Sequence, residues 1–232
     1  MARLEEELDW ERLGRTYCSE GGEAFFPPAQ REAVRDVGLL MTSDLSEALD
    51  GRAGGSVYVG AALAELAPLL CERIVLGREV RALNLPNAET EELNRALRVV
   101  SASLGRELGT IEVQPLASLA GAGFDHAWVV SILTDPEAFP ALHDELYERR
   151  GTALATGRGD LDRDRRRAAA LVDELLDALA PPFLLTTTDE ELALLVPACE
   201  RRGLRLAIPD HARLSAVVGD PVRICRAGRA SR

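Results

Sequence analysis

The sequence predicts an α/β fold in which a mostly parallel, seven-stranded sheet carries helices on both faces. Short apolar runs alternate with amphipathic runs along most of the chain, as is typical of parallel strands joined by helical crossovers. The run 124–133 is almost continuously apolar, which is expected of a central strand covered on both faces. A short turn joins the last two apolar runs, and it predicts an antiparallel final strand.

The composition is that of a globular α/β protein. The chain has 232 residues, of which 47% are hydrophobic, so it can fill a sizeable core. It begins with an acidic amphipathic segment unlike a secretory signal, and no apolar run approaches the roughly 20 residues of a membrane helix. The net charge of -11 disfavours nucleic acid, because phosphate binders need a basic surface. We expect a cytoplasmic protein that binds a small-molecule ligand and has neither a membrane nor a nucleic-acid partner. The sequence does not indicate its oligomeric state.

Two residue types narrow the chemistry. The four cysteines are scattered, without a CxxC or Cys/His cluster, so we expect reduced packing cysteines and no metal site. The chain has no lysine, and all 27 of its basic residues are arginine. The composition therefore excludes Schiff-base chemistry and the lysine of a phosphate loop.

The chain is predicted to be one domain, with a helical cap or lid region at 1–53 and an α/β core at 54–232. Within the cap, residues 3–14 and 28–50 have helical periodicity. The predicted strands of the core are 56–60, 80–85, 110–114, 124–133, 182–187, 204–208 and 222–225. Its predicted helical segments are 61–73, 88–104 with Asn87 as N-cap, 135–150, 168–180 and 188–202. The Gly- and charge-rich loop 151–167 is expected to be the most mobile part.

The stretch from Gly54 to Leu85 is the most informative part of the chain. It has the order strand, tight turn, helix and strand, which is the opening unit of a nucleotide-binding α/β domain. Gly60 is the glycine of its turn, and the small residues Ala61 and Ala62 that follow would let a ligand approach the backbone. The amides at the start of the helix would point toward that ligand. Alternatively, Gly60 only relieves a tight turn.

This order of elements resembles that of the class I S-adenosylmethionine-dependent methyltransferases, whose Rossmann-like sheet ends in an antiparallel strand. The resemblance covers roughly residues 24–227. It implies S-adenosylmethionine as the cofactor. It also implies a cofactor site formed by Gly60, Ala61, Ala62, Asn84, Leu85 and Gln114.

The chain departs from the pattern of that family at several positions. The acid that ends the first strand falls at Tyr58, and the ribose-binding acid that ends the second falls at Asn84. The adenine-side acid falls near Gln114, and the later glycines of the first motif fall at Ala62 and Ala64. Asparagine can bond ribose hydroxyls, but without the strength that a charge adds.

The catalytic region of the family corresponds to the segment after the predicted strand 124–133. The candidate catalytic residues there are Ser131, Thr134 and Asp135. Asp135 is also a good N-cap, because a proline follows it at the first helical position.

Three further polar positions are given structural roles. Tyr58 lies on an interior strand, where its hydroxyl is expected to find a partner within the core. Glu65 lies in the helix after the turn and is expected to face solvent, with the mouth of the cleft as the alternative. Thr188 and Glu191 fit a capping box.

Two functions stay open at this point. One is an S-adenosylmethionine-dependent methyltransferase acting on a small molecule or a protein, with a divergent cofactor site. The other is a non-catalytic protein of the same fold that binds another nucleotide-like ligand or a protein partner. The missing acids and glycines favour the second function, whereas the usual activity of the fold favours the first.

Overall fold

The computed structural model describes residues 1–17, 22–136, 138–147, 159–217 and 219–229. The chain divides into two compact units. Unit 1 comprises Met1–Gln114 and Leu214–Gly219, and unit 2 comprises Pro115–Arg213 and Asp220–Arg232. None of the described helices is long and apolar enough to cross a membrane.

Unit 1 opens with the α-helices of the predicted cap, where the single helix predicted over 3–14 is divided into two at Leu8 and Asp9. They are α1 (Ala2–Glu7), α2 (Trp10–Tyr17) and α3 (Pro28–Leu49). Pro28 stands at the first position of α3, where its missing N–H costs no helical hydrogen bond.

The strands of unit 1 are β1 (Ser56–Val59) and β2 (Val80–Leu83), which pair in parallel. The prediction of one continuous helix over 61–73 is wrong. The chain forms three short helical segments there instead: a 3-10 turn at Leu63–Glu65, α4 at Leu66–Leu70 and a π-helical turn at Cys71–Val75.

The π-helical turn carries a buried acid that is bonded to β1. Glu72 accepts hydrogen bonds from the Tyr58 hydroxyl at 2.6 Å, from Arg78 Nε at 2.9 Å and from the Ser56 hydroxyl. Burial and the charge of Glu72 raise the pKa of Tyr58 well above its usual value. The predicted core role of Tyr58 is therefore confirmed. The bonds of Glu72 to β1 and Arg78 lie at the turn where the helix departs from regular α geometry.

The strand predicted over 110–114 is also wrong. Only one parallel bridge forms in this segment, between Leu83 and Glu112. The side chain of Asn94 takes both backbone groups of Ile111, at 2.7 and 2.8 Å. Those groups are therefore not available to a strand neighbour. Helix α5 (Ala88–Leu104) begins as predicted after Asn87, whose side chain accepts the N–H of the third helical residue at 2.8 Å.

Unit 2 supplies the antiparallel end of the sheet. Its strands are β3 (Phe124–Val129), β4 (Leu179–Thr188), β5 (Leu204–Ala207) and β7 (Pro221–Arg229), and the short β6 is Arg213–Leu214. Strands β3 and β4 are parallel, whereas β7 runs antiparallel to both β4 and β5. The described strands form a mixed, mostly parallel seven-stranded sheet, which confirms the predicted fold class.

The helices of unit 2 are α6 (Pro140–Leu146), α7 (Leu161–Ala178) and α8 (Asp189–Arg201). Helix α7 begins earlier than predicted, because Asp160 caps it by accepting the Arg163 N–H at 3.0 Å. Residues 151–158 of the predicted mobile loop lie outside the described residues. Strand β3 ends at Val129, before the predicted end at residue 133, because the chain turns at a residue with positive φ, Ser131.

Candidate cofactor-binding site

The predicted cofactor site lies in unit 1, where the chain leaves β1. Gly60 has φ 72°, a left-handed conformation that favours glycine over any residue with a side chain. The N–H of Ala61 donates to the carbonyl of Leu83 at 2.9 Å, which fastens the turn to the end of β2. The backbone geometry therefore explains the glycine whether or not a ligand binds.

Asn84 follows β2 at the same edge. Its Nδ2 donates to the Ala61 carbonyl at 2.9 Å, and its Oδ1 accepts the Leu85 N–H at 2.7 Å. Four of the predicted site residues thus lie at this edge: Gly60, Ala61, Asn84 and Leu85. Asn84 therefore joins the two loops through one N–H of its amide and bonds within its own loop through Oδ1.

Glu65 is buried, with 7% of its surface exposed, so the expectation that it faces solvent is wrong. Its carboxylate accepts the N–H of Ala62 at 3.1 Å. This contact caps the 3-10 turn that begins at Leu63. The acid therefore lies over the amide that the sequence analysis had assigned to a ligand.

A second acid reaches the same turn from α5. Glu89 Oε1 accepts the Leu63 N–H at 3.0 Å and the Tyr17 hydroxyl at 2.6 Å. Among the residues that the structure describes, these two neutral donors are its hydrogen-bonding partners. Burial raises the pKa of Glu89, and the two hydrogen bonds offset that effect only in part. This role is not visible in the sequence, because the helix dipole alone already accounts for an acid in the first turn of a helix.

The next acid along α5 shows the contrast. Glu92 is also buried, but Arg95 pairs with it at 2.6 Å and the Asp9 N–H donates to it at 2.8 Å. Burial acts to raise the pKa of Glu92, but the bonds from Arg95 and Asp9 outweigh it and lower the pKa. One buried acid of α5 thus has a cation beside it, whereas Glu89 is held by neutral donors.

Aromatic side chains from the cap lie beside Glu89. The ring of Tyr17 stacks on Phe25 with centroids 5.5 Å apart and meets the edge of Phe26 at 5.2 Å. Phe26 is fully buried, whereas Tyr17 and Phe25 are half-buried. Burial and the nearby Glu89 raise the pKa of Tyr17 well above its usual value. Its hydroxyl therefore stays a neutral donor near pH 7.

The outer part of the site is apolar and exposed. Leu85 is 67% exposed and Val113 is 55% exposed, and they follow two segments joined by the hydrogen bond from the Asn84 N–H to the Glu112 carbonyl. Gln114 donates to the Glu112 carboxylate at 3.0 Å. The predicted adenine side of the site thus carries two exposed apolar side chains and a tethered amide.

Of the catalytic candidates in unit 2, Ser131 has the least ordinary geometry. Its φ is 58°, and a positive φ is uncommon for a residue other than glycine. Its hydroxyl donates to Asp220 at 3.2 Å, and the Tyr147 hydroxyl donates to the same oxygen at 2.5 Å. Burial, together with the hydrogen bond to Asp220, raises the pKa of Tyr147. Sequence reasoning missed both partners, because Asp220 is distant along the chain and resembles an ordinary turn residue.

The other two candidates take part in the local fold. Asp135 accepts the Ala138 N–H at 2.7 Å, but this contact lies in a turn. Helix α6 begins only at Pro140, with Phe139 at its N-cap position, so the predicted helix start at residue 135 and the predicted N-cap role of Asp135 are wrong. The carbonyl of Thr134 accepts a hydrogen bond from His143 Nδ1 at 2.6 Å. Within the described ranges, no group of three or more His, Cys, Asp or Glu side chains is arranged to hold a metal ion.

The predicted capping box of unit 2 is confirmed. Thr188 and Glu191 make the reciprocal contacts at the start of α8. The fully buried carboxylate of Glu191 also accepts the N–H groups of Ile132 and Leu133, at 2.7 and 2.8 Å, and the Thr187 hydroxyl at 2.9 Å. Burial raises the pKa of Glu191, against the effect of these bonds.

The chain has the fold of the class I S-adenosylmethionine-dependent methyltransferases. One similar structure is that of magnesium protoporphyrin IX methyltransferase from Synechocystis PCC 6803 with bound S-adenosylmethionine, at 15% identity and a TM-score of 0.55, over 96% of this chain and 98% of that chain. Another is the same enzyme with bound S-adenosylhomocysteine, at 14% identity and a TM-score of 0.53, over 86% of each chain. No protein-family model matches the chain, and no curated protein sequence matches it significantly. At these identities, the likeness establishes the fold alone.

Proposed function

We propose that this chain binds S-adenosylmethionine at the turn after β1 and acts as an S-adenosylmethionine-dependent methyltransferase. Its fold supports the proposal, because similar structures of that fold contain S-adenosylmethionine or S-adenosylhomocysteine. The geometry supports it as well, since Gly60, Ala61, Ala62 and Asn84 meet at the carboxyl ends of two parallel strands. Ligands bind at that edge in open α/β sheets.

The observation that carries the proposal is the buried carboxylate of Glu89. It is held by two neutral donors, and a buried charge is costly unless a charge of opposite sign pairs with it. S-adenosylmethionine carries a sulfonium and an ammonium cation. At a separation of 4 Å, either cation would attract the carboxylate by about 4 kcal/mol in a protein-like dielectric. Glu65 and Glu89 would thus supply, from helical positions, the charge that Tyr58 and Asn84 lack.

The exposed outer part of the site suits the other half of the cofactor. The side chains of Leu85 and Val113 offer apolar surface to the faces of an adenine ring. The amide of Asn84 has a second N–H beyond the one it gives to the Ala61 carbonyl. That N–H would serve a ribose hydroxyl.

Among the catalytic candidates of unit 2, we assign the role in methyl transfer to Ser131 rather than to Asp135 or Thr134. The carboxylate of Asp135 is engaged by the turn before α6. Ser131 instead keeps a left-handed backbone at a cost of the order of 1 kcal/mol, and such strain gathers at functional sites. Methyl transfer needs mainly proximity and alignment, because the sulfonium is already activated. Few catalytic side chains are therefore required.

One observation favours the non-catalytic alternative. The N–H groups of Ala62 and Leu63, which a ligand would otherwise engage, already donate to Glu65 and Glu89. The turn is thus complete without a ligand. A protein of this fold that binds a partner by another surface would keep such a turn.

Calorimetric titration of the wild type with S-adenosylmethionine and S-adenosylhomocysteine separates the two functions. The methyltransferase proposal predicts binding of both, with S-adenosylmethionine tighter by about tenfold, or 1.4 kcal/mol, because only it carries the sulfonium charge. Equal affinities would overturn a contact between the carboxylate and the sulfonium, and would leave only a contact with the ammonium group that both ligands carry. Failure of both to bind at millimolar concentration would leave the non-catalytic alternative.

A further inference from the structure

We propose that Tyr17 and Phe25 form an autoinhibitory latch over Glu89. In the structure, the Tyr17 hydroxyl occupies the carboxylate at 2.6 Å. A cationic ligand must displace the hydroxyl to reach Glu89. The nature of that ligand rests on the proposed function above, whereas the latch itself rests on the contacts of the cap.

The contact is of a kind that a cation can replace. A tyrosine hydroxyl is a neutral donor, and the raised pKa of Tyr17 keeps it protonated. A cationic donor makes a bond to a carboxylate that is roughly twice as strong as a neutral one. The hydroxyl can therefore satisfy Glu89 and still yield to an ammonium group.

The magnitude of buried area shows which part of the cap can move. Leu4, Leu8 and Leu13 are 6% exposed or less. Exposing three buried leucines to water costs more free energy than one ligand contact returns. Helices α1 and α2 pack against α5, and the contact between the Asp9 N–H and Glu92 holds them there at 2.8 Å. The body of the cap is thus fixed.

The end of α2 is held less firmly. Tyr17 is the last residue of α2, and it and Phe25 are half-buried. Their stacked rings, with centroids 5.5 Å apart, can turn outward together while Phe26 keeps its buried place. Arg31 Nε, which donates to the Phe26 carbonyl at 2.6 Å, retains that residue. The movement is therefore confined to the last turn of α2 and the ring of Phe25.

The test uses Tyr17→Phe, which keeps the ring and removes the hydroxyl. Its matched control is Arg12→Met on the same helix, which removes the ion pairs of Arg12 with Glu91 and Glu92 and leaves the contacts of Glu89 in place. Calorimetry with S-adenosylmethionine should give a Kd about tenfold lower for Tyr17→Phe than for the wild type, and an unchanged Kd for Arg12→Met. An equal or higher Kd for Tyr17→Phe would overturn the latch.

Hydrogen exchange of the ligand-free proteins separates the latch from the proposed function. The amides of residues 14–17 should exchange faster in Tyr17→Phe than in the wild type, because the hydroxyl no longer holds the end of α2. If neither protein binds S-adenosylmethionine, the proposed function fails, and faster exchange still supports the latch. Equal exchange rates would overturn the latch even if S-adenosylmethionine binds.

Discussion

In each unit, a loop after a strand has its backbone N–H groups bonded by buried acids, and the acids differ between the two loops. The turn after β1 begins with Gly60 at φ 72°, and the loop after β3 contains Ser131 at φ 58°. In both loops the chain's own buried carboxylates accept backbone N–H groups: Glu65 and Glu89 in the first, and Glu191 in the second.

The two loops differ in how fully the acid is bonded. Glu191 is the capping residue of its own helix, and it accepts two loop amides and hydroxyls of both Thr187 and Thr188. Glu89 comes from a separate helix and accepts one amide and one hydroxyl. A carboxylate with all its bonding capacity used, such as that of Glu191, thus serves the fold. The carboxylate of Glu89, with two neutral donors among the described residues, has bonding capacity for a ligand.

The largest loss of stability is expected on removal of the buried acid of unit 2, Glu191. Glu191→Ala would leave buried amide and hydroxyl groups unsatisfied, at about 1–3 kcal/mol for each group. We expect the free energy of unfolding to fall by about 3–5 kcal/mol, measured by urea denaturation at pH 7. A loss below about 1 kcal/mol would show that Glu191 is not the structural acid that its contacts indicate.

A smaller effect of opposite sign is expected at Glu89. Its pKa is raised in the folded protein, so its contribution to stability is present below the unfolded-state pKa and is lost as the pH rises through the folded-state pKa. Glu89→Gln removes that loss. We expect the variant to match the wild type near pH 4 and to be more stable than the wild type at pH 7, measured by urea denaturation at both pH values.

The control for this experiment is Glu92→Gln on the same helix. The pKa of Glu92 is lowered in the folded protein, so its contribution is present above the unfolded-state pKa and is lost as the pH falls. Glu92→Gln should therefore be less stable than the wild type at pH 7. If the free energy of unfolding at pH 7 changed in the same direction in both variants, the distinction between the ion-paired Glu92 and the Glu89 held by neutral donors would be contradicted.

Local contacts explain which parts of the site the sequence could predict. Asn87 and Thr188 each cap a helix through a residue three positions later, and such spacing is visible in a sequence. The contacts that decide the chemistry join residues far apart in the chain. Leu63 and Glu89 are 26 positions apart, and Tyr17 and Glu89 are 72 apart. No local pattern indicates that these groups meet.

The errors in the predicted fold have the same origin. Residues 110–114 have the composition of a strand, but the side chain of Asn94 takes both backbone groups of Ile111. The helix predicted over 61–73 is interrupted where Glu72 meets the buried polar groups of β1. The alternation of apolar runs was sufficient to predict the fold class, because the class depends on the order of elements and not on these side-chain bonds.

The central claim is that Glu89 is the acid that a cationic cofactor needs. Calorimetric titration of S-adenosylmethionine into the wild type, Glu89→Gln and Glu92→Gln tests it most directly, at a temperature where all three are folded. We predict that Glu89→Gln weakens binding at least about tenfold, or 1.4 kcal/mol, although it is the most stable of the three at pH 7. Glu92→Gln should bind with the affinity of the wild type. Undiminished binding by Glu89→Gln would contradict the claim.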